Sequence, residues 1–288
     1  MRSSRKGSYY YAVRSRAEIA QRAIFFIKEV HMKEKLYTIP LMDAFRAEDE
    51  CPFCYIEREL EQHALDFVLG SEVSYMQDDI REATDKLGFC KEHMHKMFKY
   101  GNPLGSALIL DTHLKRITKE LEKEMKKFTT TSKIGLVDRV KKDASAVSDN
   151  NNVSRFIHAN EETCYVCNHI KNNYEHYMGA FFYLYKKGEK EFIDLVKSGK
   201  GFCFHHFADV LDMAPLYLSA KEQDELRSIL FPQMEENMKR IKEELDWFEM
   251  KFDYRYKDAD WKTSRDAVQR AMQKVVGGYP ADDVYRQK

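Results

Sequence analysis

Turn-forming residues are scarce in this chain. Its 288 residues hold 12 glycines and 6 prolines, few for an all-β protein of that length, which needs turn signals at short, regular intervals. No sign of charge dominates either: 47 basic residues face 47 acidic ones. A neutral balance removes the main electrostatic argument for a nucleic-acid or membrane-surface protein. Long apolar runs are missing as well. The longest near-continuous one, 178–185, falls far short of the roughly 20 residues that span a bilayer. No Ser/His/Asp set, phosphate loop or glycine-rich nucleotide fingerprint is found. Residues 1–16 carry Arg2, Arg5, Lys6, Arg14 and Arg16 and no acid, but no apolar h-region of a signal peptide follows. Without that signal, disulfides are disfavoured and a cytoplasmic location is expected.

What the chain does have is apolar and aromatic mass. Hydrophobic residues make up 43%, with 18 Phe and 17 Tyr, enough to bury a core and to argue against wholesale disorder. The run Phe181-Phe182-Tyr183-Leu184-Tyr185 is read as core or as a docking face. Residues 17–30 read as a short mixed-charge helix. Met32 opens a segment leading directly to the first cysteine pair, so 1–31 is either an extension or a mis-called start.

All six cysteines fall in a duplicated pattern. One copy is Cys51-Pro52-Phe53-Cys54 followed by Gly88-Phe89-Cys90-Lys91-Glu92-His93. The other is Cys164-Tyr165-Val166-Cys167 followed by Gly201-Phe202-Cys203-Phe204-His205-His206. Residues 55–89 and 168–202 separate the pairs equally, so one offset maps every cysteine, the Gly-Phe dipeptide, His93 onto His206 and His63 onto His176. Such a coincidence is the mark of an internal duplication.

The surrounding pattern is helical. Ile56, Leu60, Ala64, Phe67 and Val68 recur at three and four residues, one face of a helix. Further helices are predicted over 73–87, ended by Gly88, and 90–100, ended by Gly101-Asn102-Pro103. A long helix follows through Ala107, Leu110, Leu114, Ile117, Leu121, Met125 and Phe128. The second half repeats this order, with an extra helix or turn over 219–230 introduced by a Ser219/Glu222 capping box. Its long helix then carries Met234 to Phe252. Thr263 and Asp266 predict another capping box, for a last helix ended by Gly277-Gly278. The expected fold is therefore all-α: two tandem helical repeats, each built around one Cys₃His metal site, plus a C-terminal helix. The corresponding division is 1–31 extension, 32–128 first repeat, 129–152 polar linker, 153–256 second repeat, and 257–288 C-terminal helix and tail.

The cysteines carry the chemistry. Two residues at i and i+3 on a first helical turn point the same way, and the free N–H groups there favour thiolates, the ligating form. Cys51, Cys54, Cys90 and His93, and again Cys164, Cys167, Cys203 and His206, each make a closed structural zinc set. Two Zn²⁺ per chain are expected. Equal spacing in both halves favours ligands drawn from within a half, and ligands shared across halves are the alternative. His95 and His205 compete with His93 and His206, which the repeat favours. His63 and His176 are candidates to hydrogen-bond the ligands from behind, or plain helix-face histidines. A thiol–redox role for Cys-Pro-Phe-Cys lacks its βαβ context, and an iron–sulfur cluster more often takes other ligand sets.

The string Met32-Lys33-Glu34-Lys35-Leu36-Tyr37-Thr38-Ile39-Pro40 before the first pair resembles the start of an uncharacterised bacterial family known from Gram-positive anaerobes. Ser74-Tyr75-Met76-Gln77-Asp78-Asp79, Gly88-Phe89-Cys90 with His93, Phe252-Asp253-Tyr254-Arg255 and Asp266-Ala267-Val268-Gln269-Arg270-Ala271 are similar too. The resemblance spans about 32–276 and implies a start at Met32 and the metal motif, but no activity. The expected role is a cytosolic, zinc-binding, non-enzymatic scaffold or adaptor, with regulation as one form of it. It would work through a protein partner or self-association, without a membrane. A zinc–thiol redox switch or oxidoreductase is the first alternative and a nucleic-acid-binding regulator the second.

Overall fold

The computed structural model describes residues 36–70, 76–129 and 151–278. Their regular structure is all helix: α1 over 36–46, α2 (Pro52–Leu69), α3 (Asp78–Leu87), α4 (Lys91–Tyr100), α5 (Pro103–Lys126), α6 (Asn152–Glu161), α7 (Tyr165–Lys187), α8 (Lys190–Ser198), α9 (Phe204–Tyr217), α10 (Ala220–Met250) and α11 (Ala267–Val276). The all-α expectation holds, and the order α2–α5 matches the order α7–α10. Expectations for 1–31, for most of the polar linker and for the last ten residues lie outside the described residues.

Local chemistry explains most boundaries. Asn102 starts α5 by accepting from the Gly105 N–H at 2.9 Å, with Pro103 in the first turn. The Ser219/Glu222 capping box is formed and opens α10. The stretch 219–230 is not a separate helix, however. It runs unbroken into the long helix despite Pro232, carried by the buried face of Leu226, Leu230, Met234 and Ile241. Two other expectations are corrected. The Thr263/Asp266 capping box is absent: the Thr263 hydroxyl donates to Glu244, and Asp266 is held by the Arg270 guanidinium. Helix α6 was not foreseen. Asn151 caps it by accepting from the Val153 and Ser154 N–H groups, and Asn152 donates to the Glu124 carbonyl of α5.

The chain divides into two compact units that do not follow the duplicated halves. Among the described residues, unit 1 holds 36–56 and 175–278, and unit 2 holds 57–70, 76–129 and 151–174. The boundary falls inside α2 and again inside α7.

Unit 1 is built on packed aromatics. Phe45, Phe53, Phe181, Phe192 and Phe202 meet one another at centroid distances of 5.1–6.5 Å, and all five are buried. Phe53 lies inside the first Cys-x-x-Cys turn and Phe202 directly precedes Cys203, so the ligand turns are anchored in this core. The 181–185 run is core, with Phe181, Phe182 and Leu184 buried. Unit 2 packs Ala64, Leu65, Val68 and Leu69 of α2 against Phe89, Met97, Tyr100 and Ile109, together with Cys164 and Val166. Here too a turn residue from each ligand pair, Phe89 and Val166, is part of the core.

Candidate metal centres

Each Cys-x-x-Cys or Cys-x-x-His pair sits at a helix start, as the spacing predicts. Cys90 and Cys203 are the residues flanking the N-termini of α4 and α9, both extended near φ −70°. The Cys203 sulfur accepts from the His206 N–H at 3.5 Å, so an otherwise unpaired amide of the first turn meets a sulfur that carries negative charge. The glycine two residues earlier is left-handed in both copies, Gly88 at φ +57° and Gly201 at φ +75°. At Gly88 a Cβ would stand 2.6 Å from the His113 ring. Only glycine lets the chain turn there into the cysteine.

The eight predicted ligands gather into two groups. In unit 1, Cys51, Cys54, Cys203 and His206 place their ligand atoms within 4.8 Å of one another, and all four residues are buried. The His206 Nδ1 lies 3.3, 3.4 and 3.2 Å from the sulfurs of Cys51, Cys54 and Cys203, and the Cys54 and Cys203 sulfurs are 3.6 Å apart. In unit 2 the group is Cys90, His93, Cys164 and Cys167. The His93 Nδ1 is 3.1, 3.3 and 3.3 Å from the sulfurs of Cys90, Cys164 and Cys167, with Cys90 and Cys167 at 3.9 Å. A tetrahedral ion with bonds of about 2.3 Å to sulfur and 2.0 Å to nitrogen needs S···S edges of about 3.8 Å and S···N edges of about 3.5 Å. Both groups match within a few tenths of an ångström and are positioned to bind a metal ion.

The within-half pairing is overturned. Each group joins the Cys-x-x-Cys of one half to the Cys-x-x-His of the other. The reason is helix length. His93 bonds to Glu61, seven residues beyond Cys54 and about 10 Å along α2, and its Nδ1 faces the sulfurs of Cys164 and Cys167. Likewise Phe202 meets Phe181 edge-on, fourteen residues beyond Cys167 and about 21 Å along α7. The ligand helices are too long for the chain to return to its own starting pair.

Among the histidines, the structure selects those the duplication favours. His93 and His206 are buried, whereas His95 and His205 are exposed. A third grouping of His205, His206 and Asp209 shares His206, whose Nδ1 already faces the three sulfurs. His63 is exposed, while His176 stacks on Tyr37 at 4.9 Å. The supporting group is Glu61, which the sequence reading missed. Its carboxylate meets the His93 Nε2 at 2.7 Å and is itself held by the Lys96 ammonium. A carboxylate behind the imidazole fixes the tautomer that presents Nδ1 to the ion.

The electrostatics show how crowded these groups are. Hydrogen bonds from Cys164 and Cys167 pull the Cys90 thiol far below its ordinary pKa, while bonds to Cys164 and Cys90 push Cys167 far above. In unit 1, Cys51 and Cys54 lower Cys203, and Cys203 and Cys51 raise Cys54. Burial alone would depress His93, but Cys164, Cys90 and Glu61 override it and raise it to about 11. Thiols this close cannot all ionise unless a cation sits among them.

The unit 1 group is roofed by α11. Lys274, fully buried, donates to the carbonyls of Glu50, Lys200 and Phe202, immediately before or near the two cysteine turns. Burial lowers its pKa, against the pull of Glu50 and Cys51. A Cβ on Gly277, at the end of this helix, would lie 3.7 Å from the Cys203 sulfur and 3.8 Å from that of Cys54. Gln273 adds a bond to Asp49, whose carboxylate also accepts from the Cys51 N–H. In unit 2 the cysteines are unequal: Cys164 is buried, and Cys90 and Cys167 are half-buried.

The chain belongs to a family of unknown function (DUF6062), whose model matches residues 32–282. No curated protein and no solved structure matches it.

Proposed function

We propose that this member of the DUF6062 family is a zinc-stapled helical scaffold, non-enzymatic, that works by engaging a protein partner or a second copy of itself. The observation that carries the reading is the closure of both ligand groups. Three sulfurs and one imidazole nitrogen complete a tetrahedron and leave no position for a substrate or an activated water. Zinc is favoured because it accepts this mixed set at tetrahedral geometry without redox change. The thiolates and imidazole would carry a net charge of −1 with the ion, and helix N-termini offset it at each site. No helix among the described residues is long and apolar enough to cross a membrane.

Metal analysis of protein purified without added metal tests the first half of this reading. About two zinc ions per chain are expected from two complete sets. One zinc, or iron with visible absorption, rejects it. Cobalt substitution adds a second check: the intense d–d bands of tetrahedral thiolate coordination are expected, and an octahedral spectrum overturns the closed-site argument. Light scattering of the zinc-loaded chain across a concentration series distinguishes self-association from a monomer that requires a partner.

A further inference from the structure

The two metal groups are chemically alike but differ in access. All four ligands in unit 1 are buried, and the end of α11 lies against two of its sulfurs. In unit 2, Cys90 and Cys167 are both half-buried, and their sulfurs are 3.9 Å apart. These two cysteines come from different turns, one preceding α4 and one in the first turn of α7. Thiolate oxidation follows access, so equal ligand sets with unequal cover do not react equally.

From this asymmetry we propose that the unit 2 centre is a site of reversible oxidative modification, in which a peroxide converts Cys90 and Cys167 to a disulfide while the unit 1 centre stays intact. The proposal rests on the zinc reading above and adds regulation to one of the two sites. In the first step, one of these two half-buried thiolates attacks a peroxide oxygen. The O–O bond breaks, a sulfenic acid forms, and hydroxide leaves to be protonated to water. In the second step the other thiolate attacks the sulfenic sulfur, the S–O bond breaks and a second hydroxide leaves. Two sulfurs are oxidised by two electrons in all, and hydrogen peroxide is reduced to two waters with the uptake of two protons. The cage is left with Cys164 and His93, two donors in place of four, and loses its hold on the ion.

The fold around the site is suited to surviving that loss. The Tyr165 N–H donates to the Gly88 carbonyl at 2.9 Å, tying the two ligand turns together through their backbones. Phe89, Cys164 and Val166 are seated in the unit 2 core. The turns therefore stay close enough for the disulfide to be reduced and the cage reassembled. In unit 1, Lys274 and Gly277 cover the cysteine turns.

The test uses the full-length, zinc-loaded protein and hydrogen peroxide at a few equivalents. Released zinc is followed with a colorimetric chelator, and disulfides are mapped by mass spectrometry of digests. One zinc is expected to leave at least about tenfold faster than the other, with a Cys90–Cys167 disulfide and unmodified Cys51, Cys54 and Cys203. Dithiothreitol with added zinc should restore two ions per chain. Loss of both ions at one rate, loss from unit 1 first, or a disulfide that joins Cys164 to Cys167 overturns the proposal. If the untreated protein carries no zinc, the functional reading fails by itself. The disulfide map then still decides: Cys90–Cys167 upholds the selective modification, and any other pairing ends it.

Discussion

Glu61 gives the unit 2 centre a feature that spacing alone does not suggest. It sits on α2 and orients His93 through the ring nitrogen opposite the one that faces the sulfurs. Removing such a partner typically weakens a metal site by about 10–100-fold. For Glu61→Gln, zinc transfer from unit 2 to a competing chelator should therefore accelerate by about tenfold or more, with the unit 1 ion unchanged. Equal retention of both ions would show that Glu61 serves only to pair Lys96. Gly88 carries a different kind of demand. Its φ of +57° combines with ψ of −158°, a region open essentially to glycine alone, and a side chain would also strike His113. Gly88→Ala should cost about 1–3 kcal/mol, read as a lower melting temperature. A neutral result would mean that the Gly-Phe-Cys turn relaxes freely.

At the scale of elements, α11 joins the fold to the unit 1 centre. Its Arg270 and Lys274, with Arg240 of α10, surround the buried Glu50 that directly precedes Cys51. Glu50 is 2% exposed, so removing a cation from it leaves charge and several carbonyls short of partners. Lys274→Met keeps the side-chain bulk and removes the donor. It should destabilise the protein by on the order of 3 kcal/mol in urea unfolding and speed zinc loss from unit 1 specifically. Unchanged stability would show that the ammonium's three carbonyl bonds only balance the cost of burying it. The helices themselves were largely legible from periodicity, because buried positions such as Ile56, Leu60, Ala64 and Val68 repeat at helical spacing. Phe67 fits the same pattern yet is 42% exposed, because a stripe read at three-and-four spacing is wider than the face the core covers. α6 escaped notice because its signal is one asparagine cap inside a polar stretch, and α10 was split in two because no local cue shows that a helix continues.

For the whole molecule, the grouping of ligands makes a pattern of losses that the duplicated halves would not. Cys51→Ser and Cys203→Ser should each remove the same ion, lowering the zinc content from about two to about one. Both should raise hydrogen exchange in unit 1, across residues 36–56 and 175–278. Cys90→Ser and Cys164→Ser should form the other matching pair, with exchange rising in 57–70, 76–129 and 151–174. Zinc in a site of this kind contributes folding free energy, so the two sets of protected amides separate cleanly. If Cys51→Ser instead matched Cys90→Ser, the ligands would be shared within halves and the grouping across halves would be wrong.

The candidate ligands were determined by the sequence, since residue type and the i, i+3 spacing at helix starts are local properties. So was the all-α class, which follows from side-chain periodicity and the shortage of turn formers. Which ligands share an ion was decided only by the tertiary structure. Both copies have identical spacing, so spacing is blind to partner choice. That choice depends on how far α2 and α7 carry the chain before it turns, and on Phe89 and Phe202 finding their places in separate cores. The unequal cover of the two centres is equally non-local. It comes from α11, whose Lys274 and Gly277 reach the unit 1 turns from about 70 residues further along the chain than Cys203. No motif around Cys90 or Cys203 announces that difference, because it is made by packing.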